Sequence, residues 1–440
     1  MTDGPPRVVV VVDGEHYPPL VGEAIRRLRD QGRDVVAALM AGGTEKVGAH
    51  DLERTYGVPV RDGSGNREKA LGDLVATHRP SEVLDLSDEP VVTPADRFRL
   101  ATVALLAGAT YRGADFELRP APMPRLLTKA SLRVIATGKR TGKTAIAGAI
   151  ARRAVQTGLR PIVIAMGRGG PDPPEVLDVD SDLSVDALVA LADAGKHAAS
   201  DYIEDAVTSR VPTVGCRRVG GGLAGAVSMS NVEAGVRIAQ DRDESLVILE
   251  GSGAAIPPVA AAAGVICVPA SSHPDVVRGY LGPYRVLLSD LAIVTMSEEP
   301  GAASEMEAAI REVSPRIEVI RTVFRPKPLE DVSGCKVYVC TTSPPDTGSR
   351  LTGHLREAHG CRVVGISHSL AKREDLEREL REAPDHDVLL TEVKAGGIDV
   401  AARAARGSGR RVVFIDNEPE GTGVAEAFDF ALSRAQDRSP

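Results

Sequence analysis

The segment from Arg133 to Ala154 joins a short apolar run, a loop rich in glycine and lysine, and an amphipathic helical stretch. Its letters are RVIATGKRTGKTAIAGAIARRA. In this order, glycines let backbone N–H groups curl around phosphate oxygens, and the following helix directs the positive end of its dipole at the same anion. A strand that delivers a ligand-binding loop to a helix is typical of a parallel sheet with a ligand at its carboxyl edge. The segment therefore predicts an α/β fold with a phosphate-binding loop.

The loop is a variant of the GxxxxGK(S/T) pattern. That pattern would place its first glycine at Thr137, whereas this chain has it one position later, at Gly138. Lys143 would reach the β and γ phosphates of a nucleotide, and the Thr144 hydroxyl would bind Mg²⁺. Lys139 and Arg140 would add positive charge as catalytic groups beside Lys143. The residues predicted to contact the nucleotide are Gly138, Thr141, Gly142, Lys143, Thr144 and Ala145.

A phosphate loop of this kind needs an acidic residue at the end of a neighbouring strand to hold the metal or its waters. Glu250 follows the buried run SLVIL and is the predicted metal and catalytic carboxylate. Asp172 follows the run that begins at Pro161, which we expect to lie beside the strand of the phosphate loop. Asp172 is a second candidate, as a metal contact or a base, although a turn-forming Asp before Pro173 accounts for it equally well.

Basic residues grouped around a glycine turn predict a second anion site. Each of them alone is more typical of a solvated surface charge, but basic side chains clustered beside a glycine-rich turn suit a phosphorylated substrate. The candidates for binding that substrate are Arg168, Lys196, His197, Arg217 and Arg218.

Short β-branched runs alternate with amphipathic stretches along the whole chain, as expected when helices cover both faces of parallel sheets. Proline-bearing segments at 119–124 and 325–328 divide the runs, because proline removes a hydrogen-bond donor and favours extended neighbours. We therefore predict a central P-loop NTPase-type parallel sheet over residues 125–326, flanked by Rossmann-like α/β domains over 1–124 and 327–440. The alternative is that the last third of the chain completes the central sheet.

Polar residues also follow strands of the two flanking domains. Asp13 and His16 follow the first strand, where such residues often reach a ligand, although a lone histidine in a turn is more often structural. Glu392 and Lys394 follow a late strand. Because these residues follow the carboxyl ends of strands, we expect them to face a cleft or a subunit interface.

Composition excludes several classes of protein. Aromatic residues make up 3% of the 440 residues, and the net charge is -8, which argues against nucleic-acid binding. The apolar stretches are too short to span a bilayer, and the start MTDGPPR has no secretory signal, so we expect a cytoplasmic protein. The five cysteines form no CxxC pair and are expected to be reduced core thiols.

The nucleotide is predicted to be ATP. GTP-binding relatives of the P-loop fold carry an NKxD signature after a later strand, and its Asp recognises guanine. In the corresponding segment, LAIVTMSEEP, this chain has Thr295, Met296, Ser297 and Glu298. Guanine recognition is therefore disfavoured, and so is a regulatory GTPase.

Several segments together resemble the cyclic 2,3-diphosphoglycerate synthetase family over nearly the whole length of the chain. They are DGEHYPP (13–19), VLDLSDEPV (83–91), YRGADF (111–116), TGKRTGKTA (137–145), SDYIEDA (200–206), ILEGSGAAIPPV (248–259) and TEVKAGGIDVA (391–401). The phosphate loop and the EGSG segment are generic, and the EGxG loop is also similar to dethiobiotin synthetase.

The resemblance implies an ATP-dependent ligase that forms the intramolecular phosphoanhydride of cyclic 2,3-diphosphoglycerate from 2,3-bisphosphoglycerate, with ADP and phosphate as the other products. Lys143, Thr144, Glu250 and Mg²⁺ would then serve the ATP, and the five basic candidates would bind the bisphosphoglycerate. A need for K⁺ is left open, and a homodimer is expected.

Two other functions remain open from the sequence. One is a P-loop kinase or ligase that acts on another small acid, such as 2-phosphoglycerate or a carbamate. The other is a nucleotide-dependent switch or metallochaperone, which the lack of a Cys or His cluster disfavours.

Overall fold

The computed structural model describes residues 4–43, 47 and 51–438, and in these residues the strands form three sheets. The first sheet has the order β3-β2-β1-β4-β5-β6, and it is parallel except for the pair β5 and β6. Its elements are β1 (Arg7–Val12), α1 (Pro18–Asp30), β2 (Asp34–Met40), α2 (Leu52–Tyr56), β3 (Val60–Asp62), α3 (Arg67–His78), β4 (Glu82–Asp85), α4 (Pro94–Leu106), β5 (Thr110–Arg112) and β6 (Glu117–Leu118).

The second sheet contains the phosphate loop. Its strand order is β11-β10-β8-β12-β7-β13-β14-β15, with β9 paired to β10. Its elements are β7 (Ala130–Ala136), α5 (Lys143–Gln156), β8 (Pro161–Gly167), β9 (Glu175–Leu177), α6 (Val185–Asp193), α7 (Asp201–Ser209), β10 (Thr213–Val219), β11 (Met229–Ser230), α8 (Val232–Gln240), β12 (Leu246–Glu250), β13 (Ala263–Pro269), α9 (Asp275–Arg278), α10 (Gly282–Leu287), β14 (Leu291–Thr295), α11 (Pro300–Val313) and β15 (Glu318–Arg321).

The third sheet has the order β16-β20-β19-β17-β18, and only the pair β16 and β20 is antiparallel. Its elements, with the last helix of the described chain, are β16 (Val323–Pro328), β17 (Lys336–Cys340), α12 (Gly348–His359), β18 (Arg362–Ser367), α13 (Arg373–Arg381), β19 (Val388–Glu392), α14 (Arg403–Gly407), β20 (Arg411–Glu420) and α15 (Val424–Asp437). A π-helical segment, Gly397–Ala402, links β19 to α14.

The predicted mixed α/β architecture with parallel sheets is confirmed. Strands β7, β8, β12, β13 and β14 of the second sheet are buried on both faces, because helices pack above and below them. Their near-continuous apolar sequences follow from that double burial. The carboxyl ends of these strands meet at one edge, where the phosphate loop lies.

The predicted neighbour of the phosphate-loop strand is wrong. Strand β8 does not lie beside β7, because β12 is inserted between them and pairs in parallel with both. The insertion places Glu250, at the end of β12, next to the phosphate loop. Asp172, which follows β8, is one strand further away.

The second predicted linker does not separate two sheets. Residues 325–328 belong to strand β16, which pairs with β20 at the edge of the third sheet. Prolines are tolerated there because an edge strand leaves one row of N–H groups without a ladder partner. The first predicted linker, 119–124, contains neither helix nor strand.

The last third of the chain forms its own sheet, yet helix α15 returns to the second sheet. Phe428 and Leu432 of α15 pack in one apolar cluster with Leu132 of β7 and Ile146 of α5. The predicted domain limits of 1–124, 125–326 and 327–440 stay predictions. The chain passes from the second sheet to the third near residue 322, and α15 then packs against the second sheet.

Candidate active site

The phosphate loop runs from the end of β7 to the first turn of α5. Gly142 has a φ of +80°, a conformation that favours glycine, and its carbonyl accepts the Ile146 N–H at 3.0 Å as the first turn of α5 forms. The ring of Phe324, from β16, packs directly against Gly142, so a side chain at 142 would clash with it. The Thr295 hydroxyl donates to the Thr141 carbonyl at 2.9 Å. The phosphate loop is therefore held in place by a hydrogen bond from strand β14 and by packing against the Phe324 ring.

Lys143 and Glu250 form a buried ion pair at the start of α5. The Lys143 Nζ donates to Glu250 Oε1, and the Thr144 hydroxyl donates to the same oxygen at 2.7 Å. Their exposed fractions are 8% for Lys143 and 1% for Glu250. Burial opposes the charge on each, but the opposite charge outweighs it, so the pKa of Lys143 is raised and that of Glu250 is lowered. Lys143 and Glu250, which the sequence predicts to serve the nucleotide, are thus in contact and charged.

Helix α7 brings further carboxylates to the same place. Asp205 is fully buried, and burial together with the charge of Glu250 raises its pKa well above the usual value. Asp201, four residues earlier, lies on the same face of the helix; burial and then Glu250 raise its pKa, while Lys143 and Arg168 lower it. The SDYIEDA segment contributes to the family resemblance, but the sequence alone predicts no role for these two carboxylates. The i, i+4 spacing of Asp201 and Asp205 was the signal that could have found them.

Two arginines converge near the loop that follows Glu250. A Cβ atom on Gly253 would lie 2.7 Å from Arg168 Nη2 and 3.7 Å from Arg218 Nη2. Arg218 is 7% exposed and donates to the Ser252 carbonyl at 2.7 Å and to the Ser252 hydroxyl at 3.2 Å. Burial and the nearby Arg168 charge lower the pKa of Arg218, as expected for a cation held among like charges. The two guanidinium groups thus lie close together at this loop, where an anionic substrate group is predicted to bind.

Asp201 is influenced by charges at both the phosphate loop and the arginine pair. The charges of Lys143 and Glu250 act on it from the phosphate loop, and those of Arg168 and His197 act on it from the arginine side. The phosphate loop and the arginine pair therefore both lie close to Asp201. The imidazole of His197 packs against Gly169, and Lys196 beside it is exposed.

The structure separates Arg217 from Arg218. Successive residues of a strand point to opposite faces of a sheet. Arg217 forms an ion pair with Asp172, and Asp172 also accepts from Asn231 Nδ2 at 3.5 Å. Asp172 is thus held on the outer side of β10 by Arg217. Lys139 and Arg140 are exposed on the phosphate loop.

The polar residues of the flanking domains have structural partners. Asp13 Oδ1 accepts from the Glu15 and His16 backbone N–H groups, and its Oδ2 accepts from the Asp88 N–H at 2.6 Å. These bonds hold the turn after β1. Lys394 reaches across to α7, where its Nζ lies 3.4 Å from Glu204 Oε1.

In the described ranges, no helix has both the length and the apolar character needed to cross a membrane. No group of three or more His, Cys, Asp or Glu side chains in those ranges has the arrangement of a metal site. The described cysteines are free thiols.

Comparison with known proteins gives three family models that match successive parts of the chain. They are the N-terminal domain of cyclic 2,3-diphosphoglycerate synthetase at residues 7–119, its P-loop domain at 131–323 and its C-terminal domain at 328–418. The P-loop domain confirms the predicted P-loop core of the fold.

Full-length relatives give the same result. A protein of Rubrobacter xylanophilus named cyclic 2,3-diphosphoglycerate synthetase is 47% identical over 434 residues, covering 97% of this chain and 96% of the relative. The protein of the same name from Methanothermus fervidus is 42% identical over 426 residues, covering 94% and 93%. That from Thermococcus kodakarensis is 43% identical over 415 residues, covering 93% and 94%. The chain therefore belongs to the cyclic 2,3-diphosphoglycerate synthetase family.

Proposed function

We propose that this chain is an ATP-dependent ligase that closes 2,3-bisphosphoglycerate to cyclic 2,3-diphosphoglycerate, with ADP and phosphate as the other products. One observation carries the proposal. The charged Lys143–Glu250 pair at the phosphate loop and a second cationic group, Arg168 and Arg218, both lie close enough to Asp201 to act on its charge. Full-length relatives named for this compound support the choice of substrate.

The chemistry of ring closure requires both sites. Two phosphates of one small molecule must be brought together against their mutual repulsion, so the site needs cations around the acceptor. One phosphate oxygen must also become a leaving group, which requires a phosphoryl donor next to the acceptor. A kinase loop alone would supply only the donor.

In the first step, the γ-phosphoryl group of ATP passes to one phosphate of the substrate, and ADP leaves. Lys143 and the backbone N–H groups from 138 to 145 hold the β and γ phosphates in line with the acceptor. Thr144 and Glu250 are positioned to hold Mg²⁺, which when bound supplies charge neutralisation across those phosphates. Lys139 and Arg140, on the exposed side of the loop, would neutralise the group in transfer.

In the second step, the other phosphate of the substrate attacks the phosphorus that carries the added group. A new P–O–P bond closes the ring, and inorganic phosphate leaves with its electron pair. Arg168 and Arg218 hold the acceptor phosphates, and Lys196 and His197 are further candidates from the sequence. Arg217, also a candidate from the sequence, is paired with Asp172 and is not included in this role. No general base is needed, because the attacking phosphate is already ionised at neutral pH.

Phosphorus NMR of the reaction mixture tests the proposal. With ATP, Mg²⁺ and 2,3-bisphosphoglycerate, we expect the two monoester signals to be replaced by coupled upfield signals of a cyclic anhydride. A new monoester signal would instead indicate a kinase for a small acid. ATP hydrolysis that does not respond to the bisphosphoglycerate would indicate a nucleotide-dependent switch. A homodimer and a K⁺ requirement stay predictions.

A further inference from the structure

Glu250 is in contact with Lys143 at the base of the phosphate loop, and Asp201 and Asp205 of α7 lie near this pair. Glu250, Asp201 and Asp205 all act electrostatically on Lys143. With all four groups ionised, this cluster carries an excess of two negative charges in a buried place. Such an excess is costly in a protein interior unless a cation or protons compensate it.

The unpartnered atoms show where that cation would lie. With both carboxyls ionised, Glu250 Oε2 and both oxygens of Asp205 are buried and have no hydrogen-bond donor among the described residues. A hydrogen bond between the two carboxyls exists only when one of them is protonated. Buried acceptors without donors are rare in proteins, and a bound ion is one of the explanations for them.

The neighbouring strand offers no alternative carboxylate. Strand β8 flanks β12 on the side away from β7, and it continues into Gly167, Arg168, Gly169 and Gly170. Helix α7 packs against this strand end, and a Cβ on Gly167 would lie 3.4 Å from Asp201 Oδ2. The small residue at 167 lets the start of α7 approach, and one turn later Asp205 faces Glu250.

We propose that Asp205, on helix α7, is a direct ligand of the Mg²⁺ that accompanies the nucleotide, together with Glu250 and Thr144. This inference rests on the proposed function. The donor set fits, because Mg²⁺ prefers oxygen ligands and is usually held by one or two carboxylates with waters and substrate phosphates.

Binding measurements separate this role from catalysis. We would compare the wild type with Asp205→Asn and with the control Glu204→Gln, the adjacent, partly buried carboxyl that pairs with Lys394, just after β19. The first measurement is the affinity for a fluorescent ADP in EDTA. We expect the three proteins to bind it equally, because metal-free binding uses the loop N–H groups and Lys143.

The second measurement is the affinity for Mn²⁺, followed by electron paramagnetic resonance at saturating ADP. We expect Asp205→Asn to weaken Mn²⁺ binding by at least about 10-fold, as for loss of metal-site residues in general, and Glu204→Gln to leave it unchanged. In EDTA, the melting temperature of Asp205→Asn should equal or exceed that of the wild type, because one of two facing carboxylates is removed. Asp205→Ala should weaken Mn²⁺ binding at least as much as Asp205→Asn.

Three results would overturn the inference. Equal Mn²⁺ affinity in Asp205→Asn and the wild type, with normal ADP binding, would remove Asp205 from the site while leaving the proposed function intact. An equal loss of Mn²⁺ affinity in Glu204→Gln would show that any removal of negative charge from α7 weakens metal binding. Failure of the wild type to bind ADP at all would contradict the proposed function as well.

Discussion

Arg217 and Arg218 are adjacent in the sequence but have different partners. Arg218 is buried against the loop after Glu250, whereas Arg217 is paired with Asp172 on the other face of β10. From the sequence they formed one basic pair with one role. Only the strand geometry, which alternates side chains between faces, separates them.

The two arginines should therefore respond differently to the same change. Arg218→Lys keeps the charge but loses the planar fork, so the KM for 2,3-bisphosphoglycerate should rise about 10-fold. Arg217→Lys should change it by less than about twofold, because exposed ion pairs contribute little. Initial rates at varied substrate concentration measure both. An unchanged KM in Arg218→Lys would remove Arg218 from the substrate site.

Lys143 is the residue on which the nucleotide chemistry depends most. Lys143→Ala removes the contact with the β and γ phosphates and leaves Glu250 buried without its cation. We expect the kcat for phosphate release in the presence of bisphosphoglycerate to fall at least about 100-fold. A coupled phosphate assay measures this, with circular dichroism as the check on folding. A variant that retains a tenth or more of the wild-type rate would contradict the role of this loop.

Among the elements, those whose form depends on consecutive residues could be predicted from the sequence. The strand, loop and helix around residues 133–154 were predicted because apolar run, glycine turn and helical spacing are consecutive. Strand β10 was not predicted, because TVGCRRV contains a glycine and two arginines instead of an apolar run. The position of β12 between β7 and β8 was missed because strand order depends on tertiary packing. The buried state of Asp205 was missed for the same reason.

Helix α4 offers a pH-dependent test of an element. Its capping box joins Thr93 and Asp96, and Arg67 and Arg99 also contact Asp96. Burial tends to raise the pKa of Asp96, but hydrogen bonds from Thr93 and Arg99 outweigh it and lower the pKa to about 2 from 3.8. A lowered folded pKa contributes stability above the unfolded value that is lost as pH falls toward the folded one.

Asp96→Asn should therefore lower the free energy of unfolding by about 2 kcal/mol at pH 7, and the difference should narrow below pH 4. Urea unfolding at pH 7 and pH 3, followed by circular dichroism, measures it. Glu68→Gln is the matched control, because Glu68 pairs with Arg99 at the surface. This substitution should change the free energy of unfolding by less than about 0.5 kcal/mol. A difference between wild type and Asp96→Asn that does not depend on pH would contradict the expectation.

At the scale of the whole molecule, the C-terminal part of the chain is attached to the nucleotide-binding part by packing as well as by ion pairs. Arg152 of α5 reaches Asp416 and Glu418 of β20 at 3.0 and 2.7 Å. Arg153, the next residue, forms a two-point pair with Asp429 of α15 at 2.7 and 2.5 Å. The helix that begins at the phosphate loop is therefore held from two directions by later segments.

A pair of phenylalanines on α15 tests this attachment. Phe428 is 4% exposed and packs with the core of the second sheet, whereas Phe430 is only partly buried and lies under Arg434. Phe428→Ala should lower the free energy of unfolding by about 3 kcal/mol or more. Phe430→Ala should lower it clearly less. Thermal unfolding of both variants measures the difference, and equal melting temperatures would show that α15 does not stabilise the second sheet.

The return of α15 to the second sheet also has a consequence for biosynthesis. The ribosome makes the strands around the phosphate loop well before it makes α15, whose residues help to close their core. Nascent chains usually complete their domains in order from the amino terminus. Here the core of the nucleotide-binding unit stays partly uncovered until α15 has been synthesised and has left the ribosome.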